Sequence, residues 1–245
     1  MGIILFIIAL LATTLGSLAG LGGGIIIKPI LDMFNMNVLL VGILSSLTVL
    51  SMAMVSSIKH IHAKRVSLKI LYLAIGALFG GFIGNYLLLN MSKDPIGLQT
   101  IQSTALVVVL VLILILMRLK RYLKKFHVHN KVLIIGVGLL LGIVSSFLGI
   151  GGGPLNMIVL YVMFGLDAKD SAASSVFIIM FAQVTKLFFL DAAFDLSYLY
   201  FMIPGGIMGG FVGAFYNKKV SDKDVTIIFN TMIVAMILVN IYNLI

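Results

Sequence analysis

Cysteine and glutamate are both absent from this chain of 245 residues, and only 10% of its residues are charged. Without cysteine there can be no disulfide, no thiolate metal site and no thiol redox relay. The four histidines, His60, His62, His127 and His129, stand in lysine- and arginine-rich stretches with no carboxylate beside either His-x-His pair. They read as solvated loop residues rather than metal ligands. No nucleophile–base or metal constellation is present, so no catalytic residue, metal or cofactor is expected and the chain does not read as an enzyme. The basic stretches carry no nucleic-acid motif, and no phosphate-binding P-loop occurs.

What is abundant is apolar. Hydrophobic residues make up 61% of the chain, and the mean hydropathy is +1.21. Ordinary soluble domains carry roughly 25% charged residues, far more than here. Several apolar stretches reach the roughly 20 residues that span a bilayer as a helix. The chain is therefore expected to be an all-α, multi-pass integral membrane protein of the cell membrane, with the lipid bilayer as its solvent. Its first apolar run has no basic n-region and continues into further apolar sequence, so it does not read as a cleaved signal peptide.

Two glycine runs interrupt this pattern, Gly20-Leu21-Gly22-Gly23-Gly24 and Gly149-Ile150-Gly151-Gly152-Gly153, 129 residues apart. The same offset relates Ser45-Ser46 to Ser174-Ser175, Gly76 to Gly205, Gly80-Gly81-Phe82 to Gly209-Gly210-Phe211, and Gly84 to Gly213. Several separate blocks holding one offset identify an internal duplication. Residues 1–117 form the first transmembrane repeat, 118–130 a basic cytoplasmic connector and 131–245 the second repeat. Within the first, apolar segments fall at 2–17, 38–58, 67–90 and 98–117, with a broken short segment at 18–34. The second runs 131–147, a broken 148–164, then about 170–190, 197–216 and 225–244.

Short cytoplasmic loops collect lysine and arginine. If each broken segment folds back as a hairpin, the second repeat is upside down relative to the first. Fourteen of the fifteen loop lysines and arginines, all but Lys93, then fall on the cytoplasmic side. Parallel repeats divide them less cleanly. Inverted repeats of about four long helices plus one broken segment are expected, with both termini outside. In such an arrangement the ligand sits near the midplane, where broken helices meet.

A glycine run leading into a helix offers backbone N–H groups at the positive end of the helix dipole, which suits an anion. Gly20, Gly22, Gly23, Gly24, Gly149, Gly151, Gly152 and Gly153 are accordingly assigned to substrate binding. Gly80, Gly81, Gly84, Gly209, Gly210 and Gly213 lie within long helices and read instead as close-packing residues. Lys28 and Lys186 fall within membrane segments, where charge is costly and points to function. Lys28 has Asp32 one turn on, so it either faces the anion or forms a local ion pair. Lys186 either faces the anion or snorkels to the membrane surface. Ser45, Ser46, Ser174 and Ser175 are candidate hydroxyl donors, their alternative being bonds to their own helix backbone. Asn156 and Gln183 are weaker candidates.

The Gly-x-Gly-Gly-Gly runs with Pro29-x-Leu31, and a second copy in a chain of this length, resemble the sulfite exporter TauE/SafE family. The resemblance covers nearly the whole chain. The second copy departs from the pattern in having Pro154 directly after Gly153 and Ile158 at the equivalent of Pro29. The resemblance implies a secondary transporter moving a small anion, such as sulfite, a sulfonate or a related organic acid, by alternating access between two repeats. The alternative is an anion channel with the same glycine-lined pore. A coupling ion, H+ or Na+, is not named by the sequence.

Overall fold

In a computed structural model of the chain, the described residues are 2–34, 36–62, 66–119, 125–190 and 195–244. They form ten α-helices: α1 Gly2–Ala19, α2 Gly24–Asp32, α3 Val38–His62, α4 Leu68–Met91, α5 Pro95–Arg118, α6 Lys131–Leu148, α7 Gly153–Phe164, α8 Ala168–Val184, α9 Leu199–Lys219 and α10 Asp222–Tyr242. A 3-10 turn, Thr185–Phe189, prolongs α8, and a second, Leu196–Tyr198, leads into α9. Among the described residues, eight helices are long and apolar enough to cross a membrane. Lys64, Arg65, residues 120–124 of the basic connector, and Asp191 lie outside the described residues.

The 129-residue offset recurs in the helix boundaries. Helices α1 and α6 begin 129 residues apart and end 129 residues apart, and α2 and α7 begin at Gly24 and Gly153 with the same offset. The misplaced proline of the second copy therefore does not move the helix start. Pro154 occupies the first turn of α7, where a missing N–H costs nothing, while Pro29 lies inside α2. Three other helix starts are capped by side chains: Asp94 before Pro95, Asn130 before α6, and a Ser221–Asp224 capping box before α10.

Lipid removes the hydrophobic drive between helices, so packing rests on close backbone approach and buried hydrogen bonds. The glycines supply that approach. Helix α4 packs on α6 and α1 on α9, each pairing the fourth helix of one repeat with the first of the other. A Cβ at Gly80 or Gly84 would run into the carbonyls of Leu139 or Ile143, and one at Gly213 into that of Thr14. Hydroxyls tie the α1–α9 seam: Thr13 Oγ1 donates to Gly205 O at 3.3 Å, and Ser17 Oγ to Gly210 O at 3.2 Å. The two third helices, α3 and α8, are the most enclosed spans, and α10 is the least. They face one another at the centre, and α5 and α10 form the lipid-facing edge.

Contacts also place the helix ends. At one end, Gly2 abuts the ring of Phe201 in the first turn of α9, and Asn243 Nδ2 donates to Pro29 O at 3.0 Å. Since only Val220 and Ser221 separate α9 from α10, the start of α9 and the end of α10 lie together. At the other end, Lys169 binds Asp222 Oδ1 and Lys218 O at 2.9 and 3.2 Å. Lys125 Nζ donates to Gly165 O at 3.3 Å, and Lys131 Nζ sits 5.2 Å from the Tyr72 ring. Lys59 Nζ lies 3.0 Å from the Phe211 ring centroid, at the C-terminal half of α9. His60 and His62 belong to the end of α3 rather than to a loop, and His60 is fully buried. That corrects the sequence expectation: the apolar helix simply runs on past its basic residues.

Candidate functional site

The two glycine runs break α1 from α2 and α6 from α7, and they meet. Gly20, Gly22, Gly23, Gly149, Gly151 and Gly152 all take φ between 67° and 86°, a region that side-chain-bearing residues rarely enter. Gly23 and Gly152 use it at the N-caps of α2 and α7. A Cβ at Gly24 would stand 2.9 Å from Ile150 O, and one at Gly153 would collide with Leu21 O. Each run thus packs its backbone against the other. One sequence isoleucine, Ile179 of α8, touches both, lying against Gly22 and Gly151.

Several N–H groups of the first run are already bonded. Gly22 N donates to Gly16 O, Gly24 N to Gly22 O, and Ile26 N and Ile27 N both to Gly23 O. In the second run Asn156 N donates to Gly152 O, and Pro154 has no N–H to give. Backbone donors alone are therefore scarcer than the glycine count suggests, and side chains become important.

Ser45 and Ser175 bond across to the runs rather than back onto their own helices. Ser175 Oγ donates to Gly20 O at 2.7 Å and approaches Gly153 O at 3.4 Å. Ser45 Oγ donates to Gly149 O at 3.4 Å. Ser46 is buried beside them, and the Ser174 hydroxyl is buried with no hydrogen-bond partner. Three more polar groups around the second run are also buried and unpartnered: Ser145 Oγ, Asn156 Oδ1 and Gln183 Nε2. A Cβ at Gly151 would lie 3.5 Å from Gln183 Nε2, and one at Gly152 would lie 2.7 Å from Ser145 Cβ. Unpaired buried polar groups are uncommon and call for a reason.

Both lysines are buried. Lys28 pairs with Asp32 at 3.0 Å, the local ion pair that was one of its two readings. Its aliphatic arm nevertheless lies against the second run, with Cδ 3.5 Å from where a Gly149 Cβ would be. Lys186 does not snorkel. It is 5% exposed and donates to Asn85 Oδ1 at 3.0 Å, while Asn85 Nδ2 donates to Thr185 Oγ1 at 2.9 Å. Gly42 of α3 lies between the two: a Cβ there would be 3.8 Å from Lys186 Nζ, and Gly42 Cα would be 3.9 Å from a Cβ at Gly149. The lysines of the two repeats thus converge on Gly42 and Gly149.

Asn85, Thr185 and Ser145 were not singled out from the sequence. Asn85 carried one signal, an amide inside a long apolar helix. A cavity of about 520 Å³ is lined by Leu196, Ser197, Leu199, Tyr200, Ile203 and Pro204, at the start of α9.

The family model described as "Sulfite exporter TauE/SafE" matches residues 5–239. A relative from Bacillus subtilis (strain 168), named "Probable membrane transporter protein YunE", is 27% identical over 259 residues, covering 96% of this chain and 95% of its own length. No solved structure matches.

Proposed function

Because the chain belongs to the sulfite exporter TauE/SafE family, we propose that this membrane transporter moves a small sulfur-containing or organic anion by alternating access between two inverted repeats. The anion binds where the glycine runs meet, beside Gly149 and Gly42. The observation that carries this reading is the convergence there of Lys28 and Lys186 from opposite repeats. The Lys28–Asp32 pair is neutral as a whole, whereas among the described residues Lys186 faces only the amide of Asn85. A charge within a membrane segment is costly, and a bound anion offsets it. The unpartnered groups of Ser174, Ser145 and Gln183 supply hydrogen-bond donors from α8 and α6.

Inversion is supported by the helix ends. Gly2 and Pro29 lie at the end of the bundle where α9 starts, whereas Lys131 and Gly165 contact the opposite end. A first hairpin opening one way and a second opening the other is what inverted repeats require. The described basic loop residues other than Lys93 gather at the second end, which is cytoplasmic by the positive-inside rule. Binding between the packed runs requires them to part, and the φ > 0 glycines are the natural hinges for that motion.

Uptake into proteoliposomes tests the transporter reading. Saturable uptake of thiosulfate, sulfite or a sulfonate, accelerated by the same anion on the opposite side, is expected. Flux that neither saturates nor responds to trans anion would point to a channel.

A further inference from the structure

Asp32 has a feature the anion site does not use. Its Oδ2 accepts from Lys28, but its Oδ1 is buried with no hydrogen-bond partner, and the side chain is 1% exposed. Directly over it lies a cavity of about 260 Å³, lined by Asp32, Met33, Gln99, Tyr242 and Asn243. This cavity stands at the end of the bundle where α2 and α10 end. The carboxylate is thus shielded from lipid, tied to the site lysine on one oxygen, and bordered by a polar cavity on its other side.

We propose, resting on the anion reading above, that Asp32 is the proton-binding site of a proton–anion coupled transporter, with Lys28 as the shared counterion. With Asp32 ionised, Lys28 is held on it, and Lys28, Asp32 and Lys186 together carry a net charge of +1. A proton arriving from the cavity binds a carboxylate oxygen of Asp32. The Lys28–Asp32 attraction is lost, and the three groups then sum to +2. The Lys28 ammonium, whose arm already lies along Gly149, is free to turn to an anion at the second glycine run. A dianionic oxyanion is neutralised only in this protonated form. Proton and dianion therefore strengthen each other's binding, as linkage requires.

Little else titrates there. Of the helices around Asp32, α1 has no ionisable side chain, and those of α3, Lys59, His60 and His62, lie in its last turn at the opposite end. On α10 the nearby group is Tyr242, and Asp222, Lys223 and Asp224 are in the first turn. On α5, Arg118 is at the far end, and at the near end Asp94 accepts from Gly97 N. Lys186 lies across Gly42.

The test uses thiosulfate and sulfate, whose charge is constant between pH 5.5 and pH 8, with purified protein in lightly buffered detergent and a pH-indicator dye. Binding of thiosulfate to the unaltered protein is expected to take up about one proton, and its affinity to rise by up to about tenfold per unit fall in pH. Asp32→Asn is expected to bind with no proton uptake and with an affinity independent of pH. The double variant Lys28→Met with Asp32→Asn, which removes the pair as a unit, is expected to bind weakly and also without uptake. Thiosulfate or sulfate binding without proton uptake in the unaltered protein overturns the proposal, whether or not the variants fold. So does uptake that persists in either variant. If neither dianion binds the unaltered protein at any pH, the anion reading itself falls, and this inference with it.

Discussion

The hydroxyl of Ser175 on α8 donates to the carbonyl of Gly20, 2.7 Å away, so a helix of the second repeat holds the glycine run of the first. The neighbouring Ser174 hydroxyl is equally buried but has no partner. Ser175→Ala leaves a buried carbonyl short of its donor and should cost about 1–3 kcal/mol. Ser174→Ala should change stability by much less and instead weaken anion binding. Thermal unfolding in detergent, with and without anion, separates the two. Equal destabilisation would show that the serines play one structural role.

Close packing of α4 on α6 makes a sharper stability contrast within one helix. A Cβ at Gly138 would strike Leu73 O, whereas one at Gly136 would have nothing within 4 Å. Gly138→Ala should destabilise the bundle strongly. Gly136→Ala should be neutral or stabilising, by up to about 1 kcal/mol from helix propensity. Similar unfolding temperatures for both variants would contradict the packing described.

Lys186→Met keeps the length of the side chain and removes a buried charge. The fold should survive, since the lost bond to Asn85 is offset by relief of the ammonium's desolvation. Anion-dependent stabilisation and uptake should fall by at least tenfold. Normal uptake would remove Lys186 from the site.

Topology can be read by labelling, because the chain has no cysteine of its own. Single cysteines replacing Met33, Lys93 and Lys169 are each in exposed or partly exposed positions near helix ends. Membrane-impermeant reagent should reach Met33→Cys and Lys93→Cys from outside and Lys169→Cys only from the cytoplasmic side. Labelling of Met33→Cys and Lys169→Cys from the same side would contradict inverted repeats.

Much of the architecture was legible in the sequence because membrane helices obey few rules. The offset between Gly20 and Gly149 anticipated the breaks that start α2 at Gly24 and α7 at Gly153, and the long-helix glycines proved to be packing residues, as their place within long helices suggested. The site was less legible. Proximity of Lys186 to Asn85 depends on how α4 meets α8, a contact about 100 residues apart in sequence, and no local pattern encodes it. The fate of Lys28 was ambiguous for a related reason: Asp32 at i+4 is visible in sequence, but the second glycine run beside its arm is not. Ser45 and Ser175 bond to carbonyls of the broken segments because those breaks leave carbonyls without helical donors, which periodicity alone does not display.

The central claim is that an anion binds between the two glycine runs, and thermal stability of the purified protein measures this most directly. At a concentration about 100-fold above its Kd, a bound anion adds about 2.7 kcal/mol. Sulfite, thiosulfate, sulfonates and carboxylates are compared on the unaltered protein and on Gly151→Ala, whose added methyl enters the space beside Gln183 and Ile179 at a φ of +80°. At least one of these anions should raise the unfolding temperature of the unaltered protein and leave that of Gly151→Ala unmoved. Equal stabilisation of both proteins, or none of either by any anion, would contradict the claim.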